Sequence, residues 1–275
     1  MPNAAKRFLI GKVRDTFNDR SSAEHPVERR IDGLFGPQSV AWRVHGDVTS
    51  MMVGGISALL LQMLHPAVLG GVWDHSNFRS DMHGRLRRTA RFIALTTYGG
   101  ADEALGAIER VRTIHGQVRG ALPDGTPYDA NDPALLTWVH VTESMTFLNA
   151  WIRYAEPAMT IKDRDRHFAE VAVVAEKLGA HDVPRSHAQT LSTIAAMRPQ
   201  LRADGRTRDV SALVLKRGRQ TSFDAIPLGL MQQAAVDLLP PWARHMHRLS
   251  SSGVTRPLVS GGTFALAGML RWAFR

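Results

Sequence analysis

The sequence predicts an all-α, single-domain globular fold with buried central helices, and three observations predict it. Apolar residues recur at helical spacing along most of the chain, prolines fall at the joints between those stretches, and alternating strand patterns are scarce. At 275 residues and 44% hydrophobic, with no long Pro/Gly/Ser linker, the chain can bury one substantial core. The expected division is an arm over residues 1–27, one globular domain over 28–250 and a tail over 251–275.

Helices are expected at about 29–34, 38–48, 50–64, 80–98, 102–119, 133–156, 164–178, 185–200, 208–217 and 225–248. Pro26, Pro37, Pro66, Pro133, Pro157, Pro184 and Pro227 mostly mark their joints. The arm, MPNAAKRFLIGKVRD, is basic and has no apolar stretch long enough for a signal peptide, so a cytoplasmic location is expected.

Met51 to Trp73 carries no Asp, Glu, Lys or Arg over 23 residues, long enough to cross a bilayer. It also holds Gln62, His65 and Pro66, and it reads better as a core helix broken at His65-Pro66. Over 80–98, Arg85, Arg88, Thr89 and Phe92 fall on one helical face, suited either to an anionic or oxygen ligand or simply to solvent.

The next helix should start at Asp102-Glu103 and stop at Gly120. Ala104, Ile108, Val111, His115 and Val118 form its apolar stripe, so His115 faces the interior, as a hydrogen-bonded core residue or as a metal ligand. Tyr128 to Pro133 is a helix entrance, with Asp132 as N-cap and proline at the first helical position. From it run two stripes, Leu136-His140-Glu143-Phe147-Trp151 and Leu135-Trp138-Thr142-Met145, the mark of a central helix. His140 thereby competes with His115 as a ligand, and spacing does not separate them. His45, His75 and His83 read as loop or surface residues, whereas His245 and His247 face different sides of one helix.

Several function classes are excluded. The chain has no cysteine, which removes disulfides, zinc thiolate sites, iron–sulfur clusters, thiolate-ligated haem and covalent haem attachment. There is no Glu-x-x-His, no His-Glu-x-x-His and no Gly-x-Gly-x-x-Gly, and Gly70-Gly71, Gly99-Gly100 and Gly261-Gly262 read as turns. The net charge of +9 comes mostly from arginine, distributed from Arg14 to Arg275 without aromatic interleaving, so no nucleic-acid partner is expected.

Four blocks in order, HPAVLGGVWDHS (65–76), GRLRRT (84–89), VRTIHGQVRG (111–120) and YDANDPALLTWVH (128–140), resemble the MpaB and rubber-oxygenase family over roughly residues 28–250. Its latex-clearing members are b-type haem dioxygenases. The resemblance implies a haem pocket among the buried helices, His115 as proximal iron ligand, and Arg85, Arg88 and Thr89 as distal groups. Where those members carry a distal lysine, Arg88 offers a permanent cation with no lone pair, so it cannot close the sixth iron site.

Their catalytic glutamate, upstream of the distal arginine, has no counterpart, because no glutamate lies between Glu28 and Glu103. His65, Asp74, His75, Asp81 and His83 remain as nearby titratable groups, with His65 a candidate base. His140 could hydrogen-bond a haem propionate.

The expected function is a haem b (iron) oxidoreductase, a mono- or dioxygenase acting with dioxygen on a hydrophobic isoprenoid, lipid or aromatic substrate. The alternative is a non-catalytic haem-binding or apolar-ligand-binding protein. The stretch FALAGMLRWAFR (264–275) could pack on the core, on a second subunit in a homo-oligomer, or peripherally on a membrane.

Overall fold

Two long helices organise the molecule, because their sequences are apolar on nearly every side. The computed structural model describes residues 4, 6–8, 10–11, 25–215 and 222–274. Helix α1 is Val40–His45, α2 Val48–Gln62, α3 Pro66–His75, α4 Met82–Tyr98 and α5 Ala101–His115. After a hairpin, β1 (Arg119–Ala121) and β2 (Pro127–Asp129), come α6 (Pro133–Tyr154), α7 (Ile161–Leu178), α8 (His187–Met197), α9 (Gly205–Val214), α10 (Ser222–Leu238), α11 (Pro241–His247) and α12 (Arg256–Phe274).

The central pair is α2 and α6, which share the most extensive helix contact. They approach closely because Gly54 has no side chain: a Cβ there would stand 2.7 Å from Phe147 Cδ1 and 2.9 Å from Phe147 Cα. Around them Leu60, Leu64, Trp138, Leu148, Tyr154 and Phe168 are almost wholly buried. On the other sides α10 and α12 pack against α2, while α1, α7 and α8 pack against α6.

The uncharged stretch from Met51 breaks where the sequence says it should. His65 is extended at φ −86° and ψ 119°, Pro66 starts α3, and the two helices are bent by 104°. No single helix among the described residues is long and apolar enough to cross a membrane. Asp132 caps α6 as expected, accepting from Ala134 N at 2.8 Å. Glu103 accepts from Gly100 N at 2.9 Å and fixes the start of α5.

Other expectations need correction. Residues 29–34 are turn and bend, not helix. The 38–48 stretch divides at Gly46, because Asp47 caps a new helix by accepting from Ser50 N. Helix α5 ends at His115, four residues early, and the chain turns into the hairpin, with Arg119 paired to Asp129. The 225–248 stretch is two helices, divided at Pro240-Pro241. Part of the 208–217 helix lies outside the described residues, and so does most of the 1–27 arm.

Of the paired glycines, only Gly99-Gly100 is a turn. Gly70 and Gly71 lie inside α3, where their missing side chains make room for Leu122, Tyr128 and Val118 of the hairpin region. Gly261 and Gly262 lie inside α12.

Candidate functional site

The αα-hairpin of α4 and α5 carries two of the predicted groups to one end. Its turn is short and the two helices pack on each other, so Arg85 and His115, each about fifteen residues from Gly99-Gly100, both belong to the end away from the turn. Asp81 starts α4 there, accepting from Gly84 N at 2.8 Å.

Arg85 is mostly buried and donates from Nη1 to Ser76 Oγ at 2.9 Å. Burial, with the nearby Arg88 cation, lowers its pKa, but a guanidinium stays charged at neutral pH. A buried cation with a single neutral hydrogen-bond partner is costly unless an anionic or electron-rich group completes its shell. Arg88 and Thr89 are exposed. Arg88 Nη1 lies 3.4 Å from Asp81 Oδ2, and Thr89 Oγ1 donates to the Arg85 carbonyl at 3.2 Å.

His115 is half-buried at the end of α5, and its Nδ1 is fully buried with no hydrogen-bond partner. Burial lowers its pKa, and the negative charge of Asp129 across the hairpin only partly offsets this. A neutral imidazole results, with one ring nitrogen presenting a lone pair. Buried polar atoms are usually satisfied, so an orphaned imidazole nitrogen marks a place where a ligand can bind. The hairpin that follows is tied to α3 by Tyr128 OH donating to Asp74 Oδ2 at 2.7 Å, with His75 Nε2 3.1 Å from the Arg119 carbonyl.

His140 belongs to a second cluster. Burial pushes its pKa down to about 4 and leaves its Nε2 unpartnered. His45 joins it, contrary to the surface position expected from sequence. Its Nδ1 is 2.8 Å from Thr97 Oγ1, and burial together with the His140 ring lowers it to about 4. His167, wholly buried, stands edge-on to His45 with centroids 5.7 Å apart, and its Nε2 is 3.3 Å from the Ser144 carbonyl.

One turn from His140 on α6, Glu143 is raised to about 7 by burial, with no hydrogen-bond partner for its carboxyl among the described residues. His45, His140 and Glu143 all lie deep among protein atoms, yet each keeps part of its surface accessible.

His65, the candidate base, is buried where α2 meets α3. Its Nε2 is 3.3 Å from Gln200 Oε1, its Nδ1 is unpartnered, and burial lowers its pKa. Gln200 lines a cleft of about 560 Å³ between the start of α6 and α8, with Asp132, Thr137, His181 and Thr193 as polar neighbours. None of the predicted site residues lines that cleft.

Glu143 is the group that sequence reasoning undervalued. Its signal was the His140-x-x-Glu143 spacing, which puts both side chains on one face of a buried helix. His45 gave less warning, because it precedes a glycine at a helix end.

Among the described residues, no group of three or more His, Cys, Asp or Glu could hold a metal ion. Single-histidine ligation, as in a haem, asks only for a neutral buried imidazole with a free nitrogen, and His115 fits that requirement.

No curated protein and no solved structure matches the chain. The family model for the ER-bound oxygenase mpaB/B'/rubber oxygenase catalytic domain matches residues 42–272. That span takes in α2 to α11, the hairpin and most of α1 and α12, and the chain therefore belongs to the MpaB/rubber oxygenase family of oxygenases.

Proposed function

We propose that this protein is a haem b-dependent oxygenase that uses dioxygen on a hydrophobic substrate of the isoprenoid, lipid or aromatic class, with His115 as the axial iron ligand. The observation that carries this reading is the unpartnered, buried Nδ1 of His115 at the same end of an αα-hairpin as the half-buried Arg85 side chain.

When bound, the haem iron supplies the oxygen chemistry. The chain's own residues hold and tune it. His115 stays neutral because it is buried, and neutrality is what a ligating imidazole needs. Arg85, anchored by Ser76, would offer a fixed positive charge to negative charge developing on bound oxygen. Arg88 and Thr89, one turn on along α4, are exposed and engaged with Asp81 and the Arg85 carbonyl, so Arg85 is the distal cation on which this reading rests.

For the proton acceptor, Glu143 is a better candidate than His65. Its carboxyl has no hydrogen-bond partner among the described residues and exchanges a proton near pH 7, whereas His65 is engaged with Gln200. His140, on the same face, is the candidate for a hydrogen bond to a haem propionate.

The test is the absorption spectrum of protein produced with added haem precursor, wild type beside His115→Ala and His140→Ala. A Soret band lost in His115→Ala and kept in His140→Ala supports the axial assignment. The reverse pattern transfers the ligand role to His140. No band in any sample overturns the haem reading and favours an apolar-ligand-binding protein.

A further inference from the structure

The protein's charge excess is not spread as its arginines are. Residues 15–237 contain 25 basic and 25 acidic side chains and are neutral overall. The whole +9 sits in residues 1–14, with four basic and no acidic side chains, and in residues 238–275, with five and none.

The structure sets Lys6 of the first segment beside Trp272 of the second. Lys6 Nζ lies 4.9 Å from the ring centroid of Trp272 on α12, and Phe8 beside it is 56% exposed.

Helix α12 is two-faced in an unusual sense. Its inner face packs Thr263, Ala267, Leu270 and Ala273 on the core. Arg271 also turns inward, donating to Asp47 Oδ2 and the Tyr154 carbonyl, both at 2.9 Å. The outer face has no polar residue to offer water. Leu258 is 75% exposed, Phe264 50%, Met269 44% and Trp272 45%, and the residues between them on that face are Gly261, Ala265 and Gly268.

Surface helices of soluble proteins keep charged and polar residues outside. A continuous exposed apolar stripe with aromatic residues marks a binding surface. From Leu258 to Trp272 it runs about 21 Å along the helix, more than scattered surface apolar residues would give.

We propose that the outer face of α12, together with the basic segment around Lys6, is a peripheral docking surface for an anionic lipid bilayer. Leu258, Phe264, Met269 and Trp272 would enter the boundary between headgroups and acyl chains, with the helix lying in the plane of the membrane. The acid-free basic segments would meet the negative headgroups. Charge complementarity selects this occupant: the apolar stripe alone would suit a second copy, but two copies would bring two +9 molecules together with Lys6 beside the contact in each.

The test is flotation of the full-length protein with vesicles of phosphatidylcholine mixed with phosphatidylglycerol, and with pure phosphatidylcholine, at low and high salt. Wild type should float with the anionic vesicles and lose most of that binding in pure phosphatidylcholine and in high salt. Phe264→Ser/Trp272→Ser should weaken binding at least about tenfold with an unchanged far-UV circular dichroism spectrum. Leu258→Ser, at the most exposed position of the stripe, gives an independent check should the double variant misfold. Lys6→Glu/Arg7→Glu should weaken binding to the anionic vesicles alone.

Failure of wild type to float with anionic vesicles overturns the proposal, and so does flotation unchanged in all the folded variants. A wild-type dimer in light scattering that Leu258→Ser converts to monomer, without vesicle binding, assigns the stripe to a second copy instead.

Discussion

Asp47 and Arg271 stand 224 positions apart in sequence and 2.9 Å apart in space. Asp47 is buried and does two things at once: Oδ1 caps α2 by accepting from Ser50 N at 2.8 Å, and Oδ2 receives Arg271. The bond fastens α12 to the start of the central helix.

Arg271→Ala should therefore cost more than a surface ion pair would. It leaves a buried carboxylate without its cation and the Tyr154 carbonyl without a donor, and about 2–4 kcal/mol of stability should be lost. Asp47→Asn, which can still cap α2, should cost less. Denaturant titration of the two variants checks the order, and a larger loss in Asp47→Asn than in Arg271→Ala would mean that the cap, which asparagine makes with a weaker acceptor, outweighs the ion pair.

Gly54→Ala tests the closeness of the central pair. The added methyl would meet Phe147 backbone at 2.9 Å as well as its ring at 2.7 Å, so no side-chain rotation alone can relieve it. A loss of about 3 kcal/mol or more is expected although alanine is the better helix former. A variant as stable as wild type in thermal unfolding would show that α2 and α6 can separate without cost.

The pH dependence follows from the interior cluster. His45 and His140, held at about 4, and His167, held well below its ordinary value, are neutral in the folded protein and protonate more readily in the unfolded chain. Their contribution is fully present above pH 6.5 and is lost as pH falls toward 4. Glu143 works in the opposite direction. Its folded pKa of about 7 lies above the ordinary 4.5, so its contribution is present below pH 4.5 and lost as pH rises through 7.

Three histidines outweigh one carboxyl, and stability should rise with pH between about 4.5 and 6.5. Chemical denaturation across that range should show this rise, flattened in His140→Gln. Glu143→Gln should be more stable than wild type at pH 8, by roughly 1–3 kcal/mol after allowing for the part of its surface that stays accessible, with little difference at pH 4.5. No gain at pH 8 would mean that Glu143 is well hydrated.

Tyr128→Phe should loosen the hairpin next to His115. The hydroxyl donates to Asp74 at 2.7 Å, and its removal leaves that carboxylate short of a partner, at a cost of about 1–2 kcal/mol. Amide exchange over residues 119–129 should speed up while α6 amides keep their protection. Unchanged hairpin exchange would show that the contacts of Gly70 and Gly71 hold it without this bond.

The sequence by itself determined the helical class, the break at His65-Pro66, the capped entrance at Asp132-Pro133 and the family, because these depend on local signals: apolar period, proline geometry, capping side chains and short motifs in order. It placed His115 on an inward stripe for the same reason. Where it misjudged, the deciding partner lay far along the chain. Gly70-Gly71 looked like a turn until a hairpin fifty residues later filled the space above them. His45 looked like a surface residue until α4, α6 and α7 closed over it through Thr97, Phe147 and His167. Glu143 was visible as a position on a stripe, but its unusual proton affinity exists only because folding strips water from it without supplying a partner. Helix α12 is apolar in sequence on both sides, and only packing decided which side the core would cover and which would be left exposed. Local chemistry fixes what each segment can be, while burial and distant contacts decide what each side chain can do.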